Sequence, residues 1–116
     1  MKTHKDLDVW KRSIDLVLKI YEISQKLPSD EKFGLISQIK RASISVPSNI
    51  AEGAGRSSTK EFIRFLDIAT GSLSELETQL IIIDRLGFCS TNGIIEEKIK
   101  PIRKMLYRLT QSLKNK

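Results

Sequence analysis

Lys100, Lys104 and Arg108 stand at i, i+4 and i+8 late in the chain, with Arg103 beside them. On a helix this spacing brings the three onto one face. A row of fixed cations neutralises successive phosphates, so the stripe is a candidate contact for nucleic acid, RNA or DNA. Tyr107 is the only aromatic nearby, which gives little support to base stacking. Against this stands the plainer reading of a solvated basic helix face, common in proteins that bind no polyanion. An anionic membrane surface is a third reading.

Catalytic chemistry finds few residues to work with. His4 is the single histidine and sits near the start of the chain, where a solvent-exposed place is expected. One isolated imidazole excludes the Glu-x-x-His pairs of di-iron bundles, the HExxH zinc motif and a Ser/His/Asp triad. Cys89 is the single cysteine, so no internal disulfide or multi-cysteine metal site is possible, and a structural thiol is expected. No catalytic residue, metal ligand or cofactor is therefore assigned, and the chain is read as non-enzymatic.

Gly53-Ala54-Gly55-Arg56-Ser57-Ser58 resembles a phosphate loop only superficially. It lacks the Gly-Lys-Ser/Thr ending, and no strand precedes it. The run reads better as a flexible turn between helices, with an anion held by Arg56 and the free amides of the next helix as the alternative. Ser72, Glu75 and Gln79 fall on one stripe of the third helix, between apolar ends formed by Phe65, Ile68, Ile82 and Leu86. Polar groups on a packed stripe need partners or water, and Arg41 and Asn49 of the second helix are the expected partners in a structural polar network, with a ligand-binding role and plain solvent exposure as the alternatives.

The elements that carry these residues follow from apolar periodicity. A first helix runs from about Leu7 to Leu27 with two apolar stripes. One is Leu7, Trp10, Ile14, Val17 and Tyr21; the other is Val9, Leu16, Ile20, Ile23 and Leu27. A helix apolar on two sides predicts a contact beyond its own bundle, between subunits. After Pro28-Ser29-Asp30 a second helix begins near Glu31, with Leu35, Ile39, Ala42 and Val46 on its seam and a kink or break expected near Ser43–Pro47.

The third helix starts at a capping box, Ser58 with Glu61. Its seam is Phe62, Leu66, Ala69, Leu73, Leu76, Leu80 and Ile83, and Gly87 is a good stop. The fourth follows Ser90-Thr91-Asn92-Gly93, with Ile95, Ile99, Ile102, Leu106, Leu109 and Leu113 alternating by four and three, and Pro101 expected to bend it. No strand-like alternation appears. Short connections between such helices predict a single all-α domain over residues 1–116, an antiparallel up-and-down four-helix bundle.

Composition agrees with that architecture. Apolar residues make up 40% and charged residues 29%, and the formal charge is +6. The charge is unevenly placed: residues 88–116 carry seven Lys/Arg against two Glu, whereas residues 57–87 carry three against five Asp/Glu. No stretch approaches the roughly 18 apolar residues of a membrane span, so no membrane association by a span is expected. The start, Met1 to Asp6, lacks the apolar run of a signal peptide, which makes the cytoplasm the expected location.

The stretch Gln38-Ile39-Lys40-Arg41-Ala42-Ser43-Ile44-Ser45-Val46-Pro47-Ser48-Asn49-Ile50-Ala51-Glu52-Gly53 resembles the hallmark of a bacterial family, the four-helix bundle proteins encoded in intervening sequences of 23S rRNA genes. Asp6-Leu7-Asp8-Val9-Trp10, Phe33-Gly34-Leu35, Lys60 to Leu66 and Gly71 to Glu77 resemble its other segments, so the likeness covers nearly the whole chain. The resemblance implies a bundle that assembles as a homo-oligomeric ring, typically a pentamer. It also implies kinship with the accessory protein of diversity-generating retroelements, a basic pentamer that binds nucleic acid and a reverse transcriptase. No catalytic residue carries over. The motif residues Arg41, Asn49, Glu52 and Glu75 are expected to be structural or interfacial, and most such relatives have no assigned role. The expected partners are a second copy of the chain, RNA or DNA, and a partner protein.

Overall fold

In a computed structural model the described residues, 3–116, form helices and turns. A 3-10 turn at His4–Asp6 leads into α1, Asp8–Ser24. A second 3-10 turn at Ser29–Glu31 precedes α2, Leu35–Ala54, and α3 is Thr59–Arg85. The fourth helix, α4, spans residues 92–114 and has three parts: a first turn Asn92–Ile94, a π segment Ile95–Ile99 and an α-helical body Lys100–Lys114. At about 1.5 Å per residue α3 is about 40 Å long, close to the 46 Å long axis of the molecule, whose other axes are 23 and 20 Å. The helices therefore lie side by side along that axis.

Each helix packs on the helices before and after it in the chain, and α4 closes the bundle by packing on both α3 and α1. Side-chain contacts fix the direction of α3 against α2. Gln38 meets Gln79, Ser45 meets Ser72, and Gly53 meets Phe62 and Phe65. Positions rise along α2 as they fall along α3, so the two run antiparallel. This pair makes the most extensive contact in the bundle, and small residues sit at two of its crossing points, Ser45 against Ser72 and Gly53 against Phe62 and Phe65.

The core is built from the predicted seams. Leu66, Ala69, Leu73, Leu76, Leu80 and Ile83 of α3 are fully enclosed, and so are Leu16 and Ile20 of α1, Ile39, Val46 and Ile50 of α2, and Ile99 and Leu106 of α4. In α1 one of the two apolar stripes supplies the core: Val9, Leu16, Ile20 and Ile23, followed by Leu27 beyond the helix end. The other stripe is less open than its composition suggests. Leu7, Trp10, Ile14 and Val17 are half-buried by the same bundle, and only Tyr21, with neighbouring Leu18, is exposed. Two-sided hydrophobicity in α1 is thus largely satisfied within the chain. Near the start of the chain, His4 is half-buried, its ring set edge-on to Trp10 at 5.2 Å.

Three boundaries differ from the periodicity. Helix α2 starts at Leu35 and not near Glu31, because Pro28 opens a separate turn and Glu31 instead accepts the Leu35 amide at 3.4 Å through its side chain. It then runs through Pro47 without a break. Proline removes one donor to the carbonyl of Ser43, but the Asn49 amide group adds one to the carbonyl of Ser45 at 2.8 Å. In α4 the expected irregularity lies ahead of Pro101, where the wider π turn lets the Lys100 amide reach Ile95 O and relieves the crowding a proline ring imposes on the preceding turn.

Both ends of α3 follow the sequence more closely. Ser58 Oγ accepts the Glu61 amide at 3.1 Å. The reciprocal half of the box is replaced by an ion pair of Glu61 with Arg64 at 3.7 Å. At the other end Gly87, at φ 80°, allows Gly87 N to donate to Asp84 O and Phe88 N to Ile83 O, the paired bonds of a Schellman stop. The chain then re-enters through Thr91, which is buried. Its hydroxyl donates to Leu80 O at 2.7 Å and its amide to Asp84 Oδ2 at 3.0 Å, tying the start of α4 to the end of α3.

Candidate functional site

The body of α4 turns Ile102, Leu106 and Leu113 inward and leaves the opposite side to solvent. On that side Lys100, Arg103, Lys104, Tyr107 and Arg108 line one shallow groove of about 600 Å³. The predicted cations are thus brought together, but they are not equivalent. Lys100 Nζ is held by Glu96 at 2.7 Å, one turn earlier. Arg103 crosses to α3 and pairs with Glu77, a half-buried contact between helices. Lys104 and Arg108 are exposed and have no acidic partner among the described residues.

Two of the four cations therefore already face a carboxylate, Arg103 in a half-buried pair and Lys100 in an exposed one, and the fully available positive charges of the groove are Lys104 and Arg108. Tyr107 is 65% exposed between them. A lone aromatic is weak support for base stacking, yet positions 104, 107 and 108 must share a helix face by spacing alone. That adjacency was the available signal.

Arg56 does not join this stripe. It lies at the α2–α3 turn, where Glu52 accepts it at 3.1 Å and the ring of Phe65 lies beneath it at 4.9 Å. Arg64 approaches the same ring at 5.3 Å, so two guanidinium groups share Phe65. The first amides of α3 are served partly by Ser58.

The polar residues of the α2–α3 face form a second site. Gln38, Arg41, Ala42, Ser45, Ser72, Glu75 and Gln79 line a cleft of about 390 Å³. Along its floor the hydroxyls of Ser45 and Ser72 bond at 2.8 Å, Asn49 Nδ2 donates to Ser45 Oγ at 2.9 Å, and Gln79 Nε2 donates to Gln38 Oε1 at 3.4 Å. The expected network is present, with a different membership. Asn49 serves Ser45 and not Glu75, and Arg41 and Glu75 are exposed on the rim without an ion-pair partner among the described residues. Gln79 is buried, and its Oε1 accepts no hydrogen bond. Along the face on either side of the cleft lie the exposed side chains of Ile68 and of Ile82 and Leu86.

Cys89 lies half-buried just beyond the α3 stop. Burial pushes its thiol pKa up, Lys26 opposes that shift and Asp84 adds to it, so the group is a protonated thiol at neutral pH. Among the described residues no group of three or more His, Cys, Asp or Glu side chains is arranged to hold a metal ion. No helix there is long and apolar enough to cross a membrane.

Residues 5–108 match the family described as 23S rRNA-intervening sequence protein, a span that includes both the α2–α3 cleft and the basic groove. No curated protein matches the chain.

Proposed function

We infer that this chain, which belongs to the 23S rRNA-intervening sequence protein family, acts as a self-associating, non-enzymatic helical bundle that binds nucleic acid through the outer face of α4. The observation that carries the reading is the pair of exposed, unpartnered cations, Lys104 and Arg108, in a groove edged by Lys100 and Arg103. The family's role is unassigned, and its link to an rRNA gene favours RNA as the polyanion. A cytoplasmic location fits such a partner.

Self-association, with a ring of five as the form the family resemblance implies, draws support from the α2–α3 face. Ile68, Ile82 and Leu86 are exposed there around a polar cleft whose rim charges lack partners. The same observation favours a second reading, in which the bundle is a scaffold and this face meets a different protein, such as a reverse transcriptase.

Sedimentation of the chain alone and with a labelled oligonucleotide over a salt series tests both parts. The expected result is an assembly larger than one chain, with affinity falling as salt rises. Two neutralised phosphates give a log–log slope of about −1.4 per chain on a single strand or −1.8 on a duplex. Lys104→Glu combined with Arg108→Glu should abolish most of that slope and weaken binding by at least about tenfold at low salt. A monomer at micromolar concentration would overturn self-association. Binding that ignores salt and survives both reversals would overturn the nucleic-acid reading, and capture of one specific protein without any oligonucleotide binding would favour the scaffold.

A further inference from the structure

The groove on α4 holds more than charge. Tyr107, the one aromatic residue of the fourth helix, is 65% exposed and stands beside the two cations that have no acidic partner among the described residues. Tyr107 lies outside the core cluster, and its hydroxyl makes no hydrogen bond among the described residues. Glu77 pairs with Arg103 in a half-buried contact and Glu96 with Lys100 in an exposed one, so the cations without an acidic partner among the described residues are the two that flank the ring.

This arrangement discriminates between forms of nucleic acid. A duplex shows a protein its phosphates and groove edges while its base faces stay stacked inside, so an exposed phenol meets it through the hydroxyl alone and its ring finds no base to stack on. A single strand exposes base faces, and a ring between two cations lets one base stack while the phosphates on either side of it are neutralised.

We propose that the α4 groove is a site for single-stranded nucleic acid, with one base stacked on Tyr107 and the adjoining phosphates on Lys104 and Arg108. The proposal rests on the nucleic-acid reading above and narrows its ligand. The groove has no base-edge reader besides these side chains, so the site tolerates any sequence, and stacking strength sets the only preference.

The test is fluorescence anisotropy with a labelled mixed-sequence 12-nucleotide RNA, offered as a single strand and as its blunt duplex, to the parent chain, Tyr107→Ala and Tyr107→Phe. The position is exposed, so all three proteins should keep the parent's helical circular dichroism. The expected result is at least about tenfold tighter binding of the single strand, lost in Tyr107→Ala and kept in Tyr107→Phe, which retains the ring. Equal or tighter binding of the duplex by the parent overturns the proposal while leaving the broader reading intact, and so does unchanged single-strand affinity in Tyr107→Ala. Failure of the parent to bind either form overturns both. Binding to vesicles containing anionic phosphatidylglycerol, without binding to either RNA, would reassign the groove to a membrane surface.

Discussion

Gly53→Val is expected to destabilise the bundle by about 3 kcal/mol, while Gly71→Ala should stabilise it by roughly 0.8–1 kcal/mol. Both glycines lie inside helices, so local propensity alone predicts that either replacement helps. Packing separates them. A Cβ at position 53 would lie 2.7 Å from Phe65 Cβ, 3.0 Å from Phe62 Cδ1 and 3.2 Å from Phe62 O. The first and last of those atoms are backbone or directly attached to it, and they move only if α2 and α3 part. At position 71 a Cβ meets nothing within 4 Å. Thermal unfolding followed by circular dichroism measures both changes, and a Gly53→Val protein as stable as its parent would contradict the close α2–α3 approach.

Leu73→Ala should cost about 2–5 kcal/mol. Leu73 is fully enclosed near the middle of α3. That helix packs against both α2 and α4, so neighbours on two sides would have to shift to fill the hole. Its core neighbour Ala69 is already small, which leaves little flexible bulk on that turn to relax inward. Set against a total stability on the order of 5–15 kcal/mol, such a loss removes a large share. Denaturant titration of Leu73→Ala beside Leu18→Ala provides the contrast, because Leu18 is 60% exposed and truncation there should change stability far less. Equal losses at the two positions would refute the assignment of the core seam.

The helical architecture could be read from residue spacing because each seam is long and regular, as in the run from Leu66 to Ile83. The stop at Gly87 was equally plain, since its positive φ suits glycine and few other residues. Less legible was anything decided by tertiary partners. The second stripe of α1 counted as surplus apolar surface on a helical wheel, yet Trp10 and Ile14 are half-buried by the bundle itself. Pro47 predicts a broken helix from local sterics, but helices on both sides of α2 and the Asn49 side chain hold the turn together.

The candidate groove was legible as a row of positions and not as a row of free charges. Lys100 with Glu96 is an i, i+4 pair that spacing reveals, whereas Arg103 with Glu77 joins residues on different helices and no local pattern predicts it. The cleft shows the same division. Ser72, Glu75 and Gln79 were identifiable as a polar interruption, but their partners depended on the register of α2 against α3, which placed Ser45 opposite Ser72 and left Glu75 on the rim.

The tight pairing of α2 with α3 also has a kinetic side. These two helices are joined by a turn of only four residues, 55–58, and their contacts close short loops, so they can form early and at little entropic cost. The contacts of α1 with α4 link opposite ends of the chain and must come later. In native-state hydrogen exchange the slowest amides should therefore cluster in α2 and α3, with α1 and α4 opening first, and uniform protection across all four helices would refute that order. The bundle then behaves as a persistent hairpin with two detachable outer staves, and the basic groove rides on one of the staves.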